Sequence, residues 1–249
     1  MPVYQFGSGT LFATPLGGNL AVNPTPTQFG TLQDVSLDIS FDTKELYGMN
    51  QFPDVIARGK GKITGKAKFA KVNGKQLNDL FFGQTVSVGQ TLADLDKAAQ
   101  IPASPFQITI TPPNSGTFVE DLGVRYSSTG EPLTKVASGP AQGQYTLTGA
   151  QYTFAAADTL ANILISYTYS VAAAGATVAV SNQLMGFAPN FSCVLRELFN
   201  SNQTNVKLYA CIASKLTRAT KQDDFLIQEF DFSAFANPAG KVIDFYDAV

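Results

Sequence analysis

The side chains that could carry chemistry are few, and most lie in stripes. Asp34, Asp38 and Asp42 recur at every fourth position of LQDVSLDISFD, and Arg58, Lys60, Lys62, Lys66 and Lys68 alternate through ARGKGKITGKAKFAK. Carboxylates four apart on a strand stand about 13 Å from one another, so the three cannot share a cation. GKGKITGK carries glycines and lysines, but it reads as a strand and lacks the GK[ST] that opens a helix in a phosphate loop. Cys193 and Cys211 could be a disulfide, a metal pair or core residues. Without a third cysteine or any histidine they cannot complete a tetrahedral zinc site, and with no export signal they are expected as free thiols. Asp223 and Asp224 sit beside Lys221 as solvated turn charges. Tyr167 and Tyr169 in LISYTYS share a strand face, where cross-strand packing is favoured over a sugar platform. The chain has no histidine and no tryptophan, which removes histidine triads, histidine metal sites and the commonest general base. An enzyme is the least expected class, and no cofactor is implied.

The stripes belong to two strands that must pair. In the first, Val35, Leu37, Ile39 and Phe41 fall on one face and Asp34, Ser36, Asp38, Ser40 and Asp42 on the other. Such period-two alternation marks a half-buried strand. An antiparallel register can place Asp42 opposite Arg58, Asp38 opposite Lys62 and Asp34 opposite Lys66. Leu37 then meets Ile63, while Phe41, Ile39 and Val35 lie over Gly59, Gly61 and Gly65. Opposed charges add about 0.2–1 kcal/mol per pair. A slip by one residue would bring charge to the apolar face, whereas a slip by two keeps both faces and still leaves Asp–Lys pairs. Between the strands lies TKELYGMNQFPDVI, far longer than the roughly two to five residues of a hairpin turn. Its Leu46, Tyr47, Met49, Phe52, Pro53, Val55 and Ile56 need an apolar partner. That partner is either the loop's own domain or a neighbouring subunit on which the segment docks as an arm.

Only 14% of the 249 residues are charged while 45% are hydrophobic, and the net charge is −2. Solubility ordinarily rests on a charged surface, so much of this surface is expected to be covered by other subunits. A global basic footprint for nucleic acid is missing. MPVYQFGSGTLF does not resemble a signal peptide, and no window reaches the length of apolar sequence that a membrane helix requires.

Along the chain, residues 1–31 read as an N-terminal arm and connector in which TLFAT forms a short strand. Residues 32–103 hold the two strands and one helix, NGKQLNDLFFG, with Asn73 as N-cap, Gly83 just past its end, and Leu77, Leu80 and Phe81 facing the core. LADLDKAAQ reads as loop or a single turn. Residues 104–182 are an all-β insertion or an extension of the same sandwich: FQITIT, DLGVRY, PLTKV, GQYTLTG, QYTFAA, NILISYTYSV and ATVAVSN alternate with turn signals, AAAG among them. Residues 183–249 return to longer strands. FAPNFSCVLRELF and NVKLYACIASKLT flank an NSNQ hairpin loop, with Glu197 opposite Lys207 and Cys193 opposite Cys211, and FLIQEFDFSAF and KVIDFYD follow.

ISFDTKELYGMNQFPDVIARGKGKITGKAKFAKVNGKQLNDLFFG, supported by GVRYSSTGEPLTKVASGPAQGQYTLTGAQYTFAAADTLANILISYTYS, NQLMGFAPNF and KQDDFLIQEFDFSAFA, resembles the major tail tube proteins of long-tailed bacteriophages. The likeness spans most of residues 30–236. It implies a mainly β fold, a β-sandwich or tail-tube barrel of two packed sheets with one short α-helix. Strands of such subunits join into a ring-forming barrel, and hexameric rings stack around a channel for viral DNA. Residues 42–57 occupy the place of the arm that reaches an adjacent ring, with Leu46, Tyr47, Met49, Phe52, Pro53 and Ile56 as contact residues. Asp34, Asp38, Asp42, Arg58, Lys60, Lys62, Lys66 and Lys68 become channel-lining or subunit-boundary charges. The implied partners are further copies of the chain, tail terminator, tape measure and tail-tip proteins, and DNA in transient non-specific contact. No membrane is involved, and the place of action is the virion tail, assembled in the host cytoplasm. The alternatives are another virion component, such as a terminator, a head decoration protein or a baseplate tube element, and a carbohydrate-binding β-sandwich.

Overall fold

Alternating sequence becomes long antiparallel strands. The computed structural model of the chain describes residues 9–16, 25–71, 74, 78–199, 202–220 and 222–246. The first strands are β1 (Thr10–Pro15), β2 (Thr27–Gln28), β3 (Gly30–Tyr47) and β4 (Pro53–Lys71). Next come β5 (Val86–Gln100), β6 (Gln107–Thr109), β7 (Thr117–Tyr126), β8 (Thr134–Lys135), β9 (Gln144–Thr148), β10 (Gln151–Phe154) and β11 (Asn162–Val178). The chain ends with β12 (Asn190–Phe199), β13 (Asn202–Arg218), β14 (Gln228–Phe235) and β15 (Ile243–Tyr246). Two compact units result, Met1–Val86 with Val178–Val249, and Ser87–Thr177. Their boundaries differ from the compositional ones near 103 and 183 because LADLDKAAQ is strand, not loop: it is the second half of β5, held beside β11.

In the first unit one sheet runs β2-β1-β12-β13-β14-β4-β3, with β15 added beside β13. Its inner face carries Phe69, Phe191, Phe230 and Phe232 with Leu11 and Leu208, and Phe29 and Leu80 pack into the same core. Phe29 and Phe69 meet edge to face at 5.0 Å between centroids, as Phe191 and Phe232 do, a geometry favoured by the ring quadrupole, while Phe230 meets Phe29, Phe191 and Phe232 at a tilt. Val35 and Leu37 line the same narrow apolar gap as Leu11, Cys193 and Leu208, so β3 comes round over β1, β12 and β13.

The β3–β4 pair forms as the charge stripes require, with its register two residues from the expected one. Asp34 lies opposite Lys68, Ser36 opposite Lys66, Asp38 opposite Thr64 and Ser40 opposite Lys62. The faces survive because the shift is even. Phe41 crosses Gly61, where a Cβ would run into its ring, and β4 is held in the same way on its other side. A Cβ at Gly65 would run into the Phe232 ring of β14, so only glycine fits there, and this close approach fixes which residue of β4 crosses Phe232. A second correction concerns TKELYGMNQFPDVI. It is not a fourteen-residue loop, since β3 runs to Tyr47 and β4 begins at Pro53, leaving Gly48–Phe52 as the turn.

The expected helix is wider than an α-helix where it is described. Asn78–Phe82 is one turn of π-helix. The Asn78 side chain replaces the missing backbone bonds, donating from Nδ2 to the Gln84 carbonyl (2.6 Å) and accepting from the Gln84 N–H (3.0 Å). Gly83 holds the left-handed conformation expected after the helix, φ +60, and Leu80 is fully buried. Asn73 and Leu77 lie outside the described residues.

In the second unit, β5-β11-β7 and β6-β10-β9-β8 enclose Ile101, Val124, Tyr145, Tyr152, Phe154, Ile163, Ile165 and Tyr167. AAAG is not a turn. β11 runs through it, and Gly175 (φ +82) leaves room for Gln90 of β5. In the first unit Cys193 faces Leu208, Cys211 faces Phe191 and Glu197 faces Thr204, because β13 begins at Asn202 opposite Phe199, so the turn is shorter than NSNQ, and a bulge between Phe191 and Cys193 adds one further step. The thiols are free and buried, and they remain neighbours: a hydrogen bond with Cys211, then burial, pushes the Cys193 thiol well up.

Two outcomes follow. Gly65→Ala should lower unfolding free energy by about 1–3 kcal/mol through overpacking, and the double variant with Phe232→Leu should lose less than the sum of the two single losses in denaturant titrations. Thiol titration of the unreduced protein should find two reactive groups in denaturant and almost none in the native state; a missing pair in denaturant would reveal a disulfide.

Candidate assembly surface

The outer face of the first unit's sheet is built from alternate residues of four strands. On β3 these are Asp34, Ser36 and Asp38; on β4, Lys68, Lys66, Thr64 and Lys62. β14 contributes Glu229, Asp231 and Ser233 opposite Lys68, Lys66 and Thr64, and β13 contributes Lys215 opposite Asp231. One row therefore reads Asp34–Lys68–Glu229 and the next Lys66–Asp231–Lys215, so sign alternates across the strands while each strand keeps one sign along its length. Lys68 reaches Asp34 at 3.4 Å, and Lys66 pairs with Glu229. Ser36, Asp38, Lys62, Lys66 and Asp231 line a shallow polar cleft of about 370 Å³. The acidic residues of β14 are absent from the stripes read off the sequence, although FLIQEFDF alternates and carried the signal.

Asp42 and Arg58 are not brought together. The register breaks after Phe41, Thr43 takes the place opposite Arg58, and the Arg58 guanidinium settles 4.1 Å above the Phe41 ring. Lys60 lies in the irregular stretch between Gly61 and Arg58.

Beyond the Ile39–Ile63 pair the two strands leave the core and continue as an arm. Every residue from Asp38 to Phe52 is exposed. Met49 at the tip is completely exposed and Phe52 is 80% exposed; Leu46, Tyr47, Val55 and Ile56 each show more than half their surface, and Pro53 is half-buried. Burying five such side chains would contribute about 1.5–3 kcal/mol each. Because the strands are already paired, docking need not order the whole segment from a disordered loop, and the entropy opposing it is smaller than a loop would impose. Phe225, 84% exposed, and Ile227 stand just before β14. β14 runs parallel to β3, since both are antiparallel to β4. Phe225 and Ile227 therefore sit at the end of the sheet opposite the arm tip.

The second unit concentrates its polar chemistry in carboxylate–tyrosine clusters. A bulge at Gly123 (φ +108) turns Asp121 inward until its side chain is only 4% exposed. It accepts hydrogen bonds from Tyr145 (2.8 Å), Tyr152 (2.9 Å) and the Gly123 N–H (3.0 Å), and Lys135 lies at 3.2 Å. Burial pushes this carboxyl up, but the four donors outweigh it and hold Asp121 below its usual range. Burial first, and then the same partnership with Asp121, push both tyrosines up, so they are neutral donors and not bases. Tyr126 donates to Asp158 (2.7 Å) and is pushed up to about 12, by burial first. Tyr167 and Tyr169 are buried, and Tyr167 donates to Asp94 at 2.7 Å and stacks on Phe118, so neither belongs to a sugar platform. Among the described residues no cluster of three or more histidine, cysteine or acidic side chains could hold a metal ion, and no helix is long and apolar enough to cross a membrane.

Asp121 should act as the acid-sensitive group of the second unit. Its folded pKa is depressed, so its stabilisation is present above the unfolded value near 3.9 and is lost as pH falls through the folded value. Asp121→Ala, which strands two buried phenols, should cost about 2–4 kcal/mol, and Asp121→Asn should flatten the acid limb of a pH–stability curve measured by thermal melting.

No known family model matches the chain, and a comparison with curated proteins finds no match.

Proposed function

We propose that the chain is a structural subunit of a viral tail tube, forming hexameric rings that stack into a channel for DNA. The observation that carries this reading is the arm: a paired extension with a bare apolar end that leaves its own core and, among the described residues, has no partner within it. Three further features support it. β3 is an 18-residue edge strand; an edge of that length invites pairing with another chain, and ring closure removes it. The low charge suits a protein whose surface is mostly contact surface. The outer face is balanced, with four acids (Asp34, Asp38, Glu229, Asp231) against four lysines (Lys62, Lys66, Lys68, Lys215). Phosphates are held by cations free to release counterions. Lysines already set among carboxylates give a wall along which DNA can slide. Terminator, tape measure and tail-tip proteins would meet the two ends of such a tube.

The test is electron microscopy of the purified chain, in which tubes are expected. Rings that do not elongate would favour a terminator, and monodisperse monomers would remove the reading. Deleting Glu45–Val55 and closing Lys44 to Ile56 with Asn-Gly, a turn suited to hairpins, should leave a monomer with the wild-type melting temperature that forms no tubes. Tubes from this variant would place the stacking contact elsewhere.

A further inference from the structure

The register of the arm says how it is covered. Residues directly opposite in a sheet share a face, and residues alternate along each strand. Leu46 lies opposite Val55, and Lys44 opposite Ala57, which places these four on one face. Glu45 lies opposite Ile56 and Thr43 opposite Arg58; with Tyr47, whose hydroxyl bonds Glu45, they form the other face. The second face continues the core-facing stripe of Val35, Leu37, Ile39 and Phe41. The first continues the charged stripe of Asp34, Asp38 and Asp42, and then changes character: after Lys44 it becomes Leu46, Val55 and Ala57. An arm lying on one surface would keep its outward face polar to the tip. Here Leu46 and Val55 on one face, and Tyr47 and Ile56 on the other, are all more than half exposed.

Area leads the same way. From Ile39 to the turn is eight residues, or about 26 Å, and a strand pair is about 10 Å wide. One face is then a strip of about 260 Å², so docking it buries about 500 Å² counting both partners, well under the roughly 1,200 Å² of a specific interface. Both faces together, with the tip, approach that figure.

We infer that in the assembly the arm is buried on both faces, inserted as a wedge between two neighbouring copies of this chain. This rests on the tube reading and names the geometry of its contact. The partner surfaces are copies of the chain because each copy presents a matching need at the other end of the same sheet, where Phe225 and Ile227 stand exposed. A contact between unlike ends propagates head to tail, and where its rotation does not close a ring it builds an open stack.

The experiment uses the full chain. Val55→Lys places a charge on one face and Ile56→Lys on the other; both positions are outside the core, and unchanged melting temperatures will show that the fold survives. Each variant should raise the concentration at which tubes appear, followed by sedimentation and microscopy, at least tenfold. A second measurement avoids added charge: Leu46→Cys and Ile56→Cys should react with a maleimide in the monomer and be at least tenfold slower in tubes, against the slow background of the buried Cys193 and Cys211. If either face tolerates its lysine, or if either cysteine labels in tubes at the monomer rate, the arm lies on one surface and the inference is overturned while the tube reading stands. If the unmodified chain forms no tubes, the tube reading fails and the inference falls with it.

Discussion

β4 is the strand on which the first unit depends, because it must satisfy two unlike neighbours at once. Toward β14 it offers Gly65, the one position where the Phe232 ring can cross. Toward β3 it offers glycine and isoleucine under Leu37, Ile39 and Phe41. On its other face the lysines stand between acids of β3 and acids of β14. A slip by one residue would bring lysines into the core and expose Phe69 and Ile63, and a slip by two would drive a side chain into Phe232. Packing and charge thus select the same register. Packing is decisive, because exposed ion pairs contribute only about 0–1 kcal/mol each, whereas a ring forced off its site costs more.

The second unit solves a different problem. Its core is rich in tyrosine, so burying the rings also buries phenols that need acceptors. Asp94, Asp121 and Asp158 supply them. A buried carboxylate is costly alone, but Asp121 with four donors is a satisfied network. The β-bulge that turns it inward is the backbone device that makes this possible.

The strands and faces were legible wherever one sequence segment held the whole pattern: both stripes, the helix end at Gly83, the hairpin of β12 and β13, and the packing role of Tyr167 and Tyr169. What escaped depended on segments far apart. The register of β4 on β14 is set by Phe232, about 170 residues from Gly65, and no pairwise charge argument contains that ring. Bulges at Phe191/Cys193 and beside Phe41 break the constant spacing on which paper pairings rest. LADLDKAAQ has helical propensity that β11 overrides, as tertiary context often does. The arm looked like a loop because its turn lacks the short Asn-Gly signature and its apolar residues have no visible partner. Asp231, Glu229 and Lys215 were overlooked because the outer face is legible only when four strands are laid side by side.

The arm also poses a solubility problem that the sequence manages locally. A two-stranded extension without a third strand is marginal in water, and one that is apolar on both faces is an aggregation hazard before it finds its place. Charge is concentrated at its root and sides: Asp42, Lys44, Glu45, Asp54, Arg58 and Lys60. Arg58 stacks over Phe41 and shields the innermost exposed ring. Both signs are present, so any two arms meeting out of register oppose like charges as readily as unlike ones. The barest apolar groups, Met49 and Phe52, are left to the turn itself, where in the proposed assembly they adapt to a partner surface at small cost to the monomer. In the proposed tube, an arm arranged in this way carries charge beside its apolar groups while it is alone and contributes most when many copies engage together.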